Sequence, residues 1–419
     1  MSNYLATHPN MSCSSQAAKP AACTVAVIRD VSGLDALRAE WDELFLVSPT
    51  AAPPLRWEWV RTWWQVYGNE YGDRGRGLRV IAIRKGRQLI GILPLYVRRH
   101  GVAFTAARQL GFVSTGAAEF EETCSDYLDL LHAPGEATEG VRVLQDVLAN
   151  SPAFRWDELE LTDLSTRSPL LGLAESCGRP LVRVAGDGTG YRSDLTGGFG
   201  AYLDRLSAGA RAEGRRLLRA ARRMGLTFEV AATANQADAF FDQMVALHHR
   251  RWQAAGLAGS FAPRHAAFHR ALARQLVPGG DAVLARLSDG DRPLAVTYGH
   301  RVREAYHSYQ RGVNLETRPV HSPGTAALLL LMEYLADCGV TCFDHLTGTN
   351  PFKERYATDQ YTLVRLRATR PTVRSMATAF TDLAGRGVRK VMTALGRTTS
   401  RVRPMGMAAD NTENAEATR

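Results

Sequence analysis

The chain has 419 residues, 45% of them hydrophobic and 22% charged, with 37 Gly and 18 Pro. That length predicts two or three domains and a core large enough to need no disulfide or metal staple. The composition excludes whole-chain disorder, collagen and coiled coil. The net charge of +9 is concentrated in two places: seven Arg from Arg205 to Arg223 against Glu213, and seven basic residues from Arg374 to Arg403 against Asp382. Such clusters suit phosphates, a nucleic acid or a membrane surface, or simply form solvated helix faces.

Residues 1–23 are Ser-, Ala- and Pro-rich without a basic or continuous apolar region, so they read as a disordered leader and not as a signal peptide. Strand-like runs follow at Thr24–Ile28, Leu78–Arg84, Gln88–Arg98, Tyr127–Leu131 and Glu158–Thr162. They recur at Leu226–Ala231, Ala282–Leu287, Leu294–Val302, Glu304–Arg311, Cys342–Leu346 and Leu363–Arg367. Helical patterns lie between them at Gly33–Leu46, Glu58–Tyr67, Glu139–Ala149, Tyr202–Met224, Gln236–Ala254, Arg264–Leu276 and Thr325–Asp337. Lys85-Gly86-Arg87 and Asp289-Gly290-Asp291-Arg292 read as hairpin turns. Strand pairs interspersed with helices predict an α/β chain with a mixed, mostly antiparallel sheet. After Thr369 a basic amphipathic helix is expected over 371–403, then a disordered tail over 404–419. The longest apolar stretch, Ala326–Met332, is too short to span a membrane. The six Cys (13, 23, 124, 177, 338 and 342) lack C-x-x-C spacing, which points away from zinc and toward a reducing cytoplasm.

His132-Ala-Pro-Gly-Glu-Ala137 and His321-Ser-Pro-Gly-Thr-Ala326 share the pattern H-x-P-G-x-A between a strand and a helix start, so a tandem duplication is expected, with domains at 24–195 and 196–370. A helix N-terminus presents free N–H groups and a positive dipole end, and glycine lets an anion approach closely. In the first copy Glu136 and Glu139 would repel a phosphate, whereas in the second no acid appears before Glu333. The second copy (His321, Ser322, Pro323, Gly324, Thr325, Ala326) is therefore the candidate phosphate loop, and it also reads as an ordinary helix start. No G-x-S-x-G, P-loop or H-E-x-x-H pattern is present. His248 and His249 point to different helix faces, so no shared metal is expected. No zinc-finger or RNP pattern accompanies the arginines, so specific nucleic-acid recognition is not expected.

The second copy resembles the pyrophosphate loop of the GNAT acyltransferase superfamily, [Q/R]-x-x-G-x-[G/A], with His321 in the Gln/Arg place. Four stretches extend the likeness over about residues 34–367: Trp57-Glu-Trp59-Val-Arg-Thr-Trp63-Trp64 with Tyr67-Gly68; Ser125-Asp126-Tyr127-Leu-Asp129; Leu247-His248-His249-Arg250-Arg251-Trp252; and Ser322-Pro323-Gly324 with Phe343-Asp344 and Pro351-Phe352-Lys353-Glu354-Arg355-Tyr356. Together they resemble the tandem-GNAT family of cellulose-biosynthesis-associated (CelD-like) acetyltransferases, relatives of the FemAB peptidyltransferases.

The resemblance implies two tandem GNAT-like domains, the first degenerate and the second catalytic. It also implies an acyl-CoA, probed most simply as acetyl-CoA, as co-substrate without a metal. Its pyrophosphate would lie on 322–326 and its pantetheine along Glu304–Arg311, and an amine would attack the thioester directly. In that scheme Asp344 is the base candidate and the backbone near Tyr309 supplies an oxyanion donor. Lys353 stabilises charge or holds the cofactor, and His248, Arg251, Trp252 and Tyr356 border the acceptor. Family members carry an acid before the Lys motif, where this chain has Thr349-Asn350-Pro351. The expected partners are a small-molecule or lipid amine, with peripheral membrane contact through the basic helix of an otherwise cytoplasmic protein. Two alternatives stand beside this: a FemAB-like transfer from aminoacyl-tRNA, and a non-catalytic GNAT-fold binding module.

Overall fold

The computed structural model describes residues 22–101, 106–176, 181–254, 261–315 and 321–378. The leader, except Ala22 and Cys23, the tail and most of the basic C-terminal helix lie outside these residues. Residues 373–378 are helical, with Val373 and Met376 exposed.

The first half runs β1 (Cys23–Ile28), α1 (Val31–Ala36), α2 (Arg38–Val47), α3 (Trp57–Tyr71), β2 (Leu78–Lys85), β3 (Gln88–His100), β4 (Ala107–Phe112), β5 (Leu131–His132), α4 (Ala137–Asn150), β6 (Glu158–Ser165), α5 (Leu173–Ser176) and β7 (Leu181–Asp194). The second begins with the hairpin α6 (Gly198–Arg205) and α7 (Ala208–Arg223). It continues with β8 (Thr227–Val230), α8 (Ala234–Ala254), α9 (Pro263–Leu276), β9 (Ala282–Asp289), β10 (Arg292–Val302), β11 (Ala305–Val313), α10 (Pro323–Asp337), β12 (Cys342–Thr347), α11 (Pro351–Tyr356) and β13 (Asp359–Thr369). The long helical pattern over 202–224 breaks at Ser207, whose hydroxyl caps α7 at Ala210 N. Both expected hairpins close with two-residue turns led by Gly86 (φ 61°) and Gly290 (φ 54°), where a side chain would be strained.

Among the described residues all strands join one 13-stranded sheet in the order β1-β2-β3-β4-β6-β13-β7-β12-β11-β10-β9-β8, with β5 beside β3. In each half three antiparallel pairings lead to one parallel pairing, β4 with β6 and β11 with β12, crossed over by α4 or α10. The last strand of each half is exchanged. β7 leaves the first half to pair antiparallel with β12, β13 returns to pair with β6, and the two long strands pair with each other at the centre.

The duplication is thus real in topology, with one correction. The strand equivalent to Glu304–Arg311 is Ala107–Phe112, not Tyr127–Leu131. Of that run only Leu131 enters a strand, with His132 after it, because Tyr127 adopts φ 66° and the Asp126 and Asp129 side chains are spent on loop bonds. The two H-x-P-G-x-A segments also differ by a turn: α4 starts at Ala137, the last motif residue, and α10 at Pro323, the third.

The aromatic segment 57–67 becomes the joint between halves. Trp57, Trp59, Val60, Trp63, Trp64 and Tyr67 are all buried on α3. Trp59 meets Phe268 of α9 edge-on at 5.2 Å, and Trp63 stacks on Tyr67 at 5.1 Å. Arg56 reaches Asp281 (2.5 Å), and Arg303 donates to the Ser48 carbonyl (2.7 Å).

Candidate functional site

β11 and β12 pair only from Ala305/Cys342 to His307/Asp344 and then part. At that fork lies a small cavity of about 10 Å³, room for about one water molecule, lined by residues of both halves, among them Trp59, Asp126, His300, His307, Tyr309 and Leu346. β11 carries an extra residue at Tyr309: Tyr298 faces Gln310 while Gly299 faces Ser308. Such a bulge takes one backbone N–H out of the ladder beside the fork.

Strand register lays a row of polar side chains across the fork. His300 on β10 faces His307 on β11, which faces Asp344 on β12, which faces Arg192 on the exchanged β7. Residues directly opposite share a face of the sheet, so this row is one surface. Asp344 is 1% exposed, yet its oxygens accept from Tyr127 Oη (2.5 Å), Tyr361 Oη (2.7 Å), Arg192 Nε (2.8 Å) and Leu346 N (2.8 Å). Burial opposes its ionisation, but His307, Arg192 and these donors outweigh it and hold the carboxyl below the usual range. It is an anion that organises its neighbours.

Beyond the fork, residues 345 and 346 leave the ladder, which resumes at Thr347 opposite Gly190, and Leu346 adopts φ 61°. Three side chains fix this segment. Asp344 takes Leu346 N, Asp126 takes Thr347 N (2.7 Å) and Oγ1 (3.1 Å), and Lys353 Nζ donates to the carbonyls of Leu346 (3.2 Å) and Thr347 (2.7 Å). Lys353 itself is set by Asn350, whose side chain caps α11 at Lys353 N (2.8 Å). The segment expected to hold an acid therefore holds a helix cap. Burial raises the Asp126 pKa to about 6, against the Thr347 bonds.

Tyr309 lies at the fork, but its hydroxyl donates to the Thr123 carbonyl (2.8 Å), so His265 Nε2 donates to it (3.1 Å). His248 bonds the Arg311 backbone near the far end of β11, and burial lowers its pKa to about 4. Trp252 lies one turn on, its ring 5.7 Å from the imidazole, and Arg251 beside it is half-buried. Tyr356 is apart from this group: it is 2% exposed, stacks on Phe352 at 4.9 Å and packs in the core under α10 and α6. At the candidate phosphate loop His321 is exposed, Ser322 Oγ donates to Thr325 Oγ1 (3.0 Å), and the first turn of α10 holds no acid. Ala326 and Ala327 pack on Leu217 and Ala221 of α7, and the exposed Arg216, Arg219 and Arg223 share one face of that helix.

The first half answers each feature with a blocked one. Its fork begins at Gly111/Glu160, and Glu160 faces Arg367 on the exchanged β13. Arg98 fills the space beside Gly111, bonding Gln109 (2.7 Å), the Thr115 carbonyl (2.8 Å) and Glu160 (3.2 Å). At α4, Glu136 pairs with Lys85 (2.8 Å) and Glu139 with Arg142 (2.6 Å).

Sequence reasoning did not find His300, His307 and Arg192. Their signal is register, which requires knowing that β4 corresponds to β11 and that β7 is a strand.

Two antiparallel-then-parallel units around forked strands define a duplicated GNAT-type fold. Residues 208–354, in the second half, match the family model of the acetyltransferase (GNAT) domain. Among solved structures, FemX superposes with a TM-score of 0.56 at 12% identity, over 78% of this chain and 95% of that one. A conserved protein of unknown function from Bacteroides thetaiotaomicron gives 0.50 at 9%, over 83% and 100%. A tandem GNAT protein from the clavulanic acid biosynthesis pathway gives 0.41 at 12%, over 84% and 100%. No curated protein matches the sequence. Among the described residues no cluster of His, Cys, Asp or Glu is arranged to hold a metal ion, and no helix is long and apolar enough to cross a membrane.

Proposed function

We propose that the protein is an acyl-CoA-dependent N-acyltransferase working at the second-half fork. The observation that carries this reading is the contrast between the halves. One fork keeps a small cavity and is bordered by a bulge, with an acid-free helix start beyond it; the other is filled by Arg98 and Glu160 and flanked by Glu136 and Glu139. In this reading the backbone of 322–326, with His321 and the arginine face of α7, holds the phosphates. The bulged backbone at Tyr309 offers a donor to the oxyanion. Asp344 and Lys353 act by fixing the fork, and Arg251 and Trp252 border the acceptor, with His248 holding the end of β11. Lipid amines, amino sugars and other small amines all suit it, and the cellulose-biosynthesis link belongs to the resemblance alone.

Calorimetric titration with acetyl-CoA and a long-chain acyl-CoA tests this, alongside Gly324→Glu, which places an acid in the first turn of α10. The expected result is binding to the wild type, lost at least tenfold in the variant. No heat with either thioester overturns the reading.

The FemX-like fold and the exposed Arg216, Arg219 and Arg223 favour one second reading, transfer from an aminoacyl-tRNA. It requires tight tRNA binding that falls steeply with salt.

A further inference from the structure

Of the row across the fork the acyltransferase reading uses Asp344 and leaves the two histidines without a role. His307 sits where β11 and β12 part and lines the cavity. Its neighbours are already engaged: Asp344 accepts four hydrogen bonds, Lys353 Nζ holds two carbonyls, and the Tyr309 hydroxyl lies between Thr123 and His265. Among the described residues His307 Nδ1 has no hydrogen-bond partner, and neither has either nitrogen of His300 beside it. The Tyr127 ring stands edge-on to the imidazole at 5.7 Å, and Trp59 edge-on to His300 at 5.2 Å, so both imidazoles are held in place by their ring edges. The first half has Gly111 where the second has His307, and Tyr96 where it has His300. The half with a blocked fork lacks both imidazoles.

We infer, resting on the acyltransferase reading, that His307 is the base that receives the proton of the attacking amine. The amine lone pair forms the C–N bond at the thioester carbonyl carbon, and the carbonyl π pair moves onto oxygen. His307 takes the N–H proton and becomes an imidazolium facing the Asp344 carboxylate, a charge arrangement that stabilises it. Re-forming the C=O bond breaks the C–S bond, and His307 returns the proton to the departing thiolate. The products are an amide and a thiol, and the imidazole is neutral again. Burial lowers the pKa of His307 and Arg192 lowers it further, while the facing Asp344 carboxylate raises it.

The test uses the full chain with acetyl-CoA as probe. In the wild type, carbethoxylation of His307 is mapped by peptide mass spectrometry with and without acetyl-CoA. Amine-dependent thiol release is then compared between wild type and His307→Gln, using ethanolamine, spermidine, glucosamine and micellar phosphatidylethanolamine. The expected results are shielding of His307 by acetyl-CoA, unchanged acetyl-CoA binding in the variant, and thiol release lowered about 10²–10⁴-fold with partial rescue by free imidazole. Three outcomes overturn the base: a variant rate within about twofold of wild type, His307 reactivity unaffected by bound acetyl-CoA, or a wild type that binds acetyl-CoA yet releases no thiol with any amine. Absence of acetyl-CoA binding overturns instead the reading beneath it. His307→Asn serves should the glutamine variant not fold, and the shielding measurement needs no variant.

Discussion

Asp344 and Glu160 occupy the same place in the two halves, and each faces an arginine on the strand that the other half has contributed, Arg192 for Asp344 and Arg367 for Glu160. The two ion pairs therefore sit where the exchanged strands join the sheet. They differ in what stands on the other side: a histidine at the second-half fork, a glycine covered by Arg98 at the first-half one.

That difference predicts unequal costs for losing the anion. Asp344→Asn leaves Arg192, whose side chain is 38% exposed and can still be hydrated, so about 2 kcal/mol is expected. Glu160→Gln strands Arg98, which is 13% exposed, and about 3–5 kcal/mol is expected. Urea unfolding of the two variants checks the order.

Lys353→Met removes both carbonyl bonds from the end of β12. The expected loss is about 1–2 kcal/mol, felt locally. Amide exchange at Leu346–Gly348 should speed up while the central β7/β13 ribbon keeps its protection. Equal acceleration in both would refute a positioning role for the lysine.

Acid should unfold the protein steeply. Burial lowers the pKa of His248 and His265 to about 4 and of His300 and His345 to about 3, and lowers His269 and His307 as well. The unfolded chain takes up these protons first, so stability is lost as pH falls below about 6.5, at roughly 3 kcal/mol for a histidine held at 4. Four buried carboxyls act oppositely between pH 7 and 4. Burial raises Asp126 to about 6, Glu122 and Asp129 to about 7, and Asp163 as well, so the native state binds their protons first. Partial cancellation gives a shallow decline to about pH 5 and a sharp one below pH 4, where the carboxyl gain ends. Melting temperature against pH checks this, and His269→Leu should move the acid limb to lower pH.

Strand exchange predicts that neither half folds alone. A chain cut between Thr196 and Gly197 leaves the first fragment without β13 and the second without β7, each with a long unpaired edge. Separately expressed fragments should aggregate, and co-expressed ones should form a soluble pair that binds acetyl-CoA. Two independently soluble, monomeric fragments would contradict the pairing.

Strongly alternating or 3.6-periodic segments were legible: ten of the strand-like runs and all seven helical patterns correspond to elements of the fold. β7 was not, because Gly186, Gly188 and Gly190 interrupt its period; of the three, Gly190 is required by packing, since a Cβ there would strike the Tyr361 ring. β4 is short and carries Arg108, Gln109 and Gly111. Missing these two strands hid the exchange, and with it the register that sets His307 against Asp344. The start of α10 at Pro323 was legible because its signal, Pro and Gly before an apolar run, is local. Asp344 stood out as an acid near a strand end, but only the fold reveals four donors around it. Tyr356 was misleading because an aromatic after a charged run looks the same whether it faces a cleft or a core.

The exchanged strands also impose a schedule on synthesis. β6 emerges from the ribosome with an open edge that only β13 covers, and β13 lies roughly 190 residues further on, about 10–40 s at ordinary rates of translation. β7 waits in the same way for β12. The nascent first half must therefore persist with exposed strand edges, which makes this chain a natural client for chaperones that shield such edges until its C-terminal segment arrives.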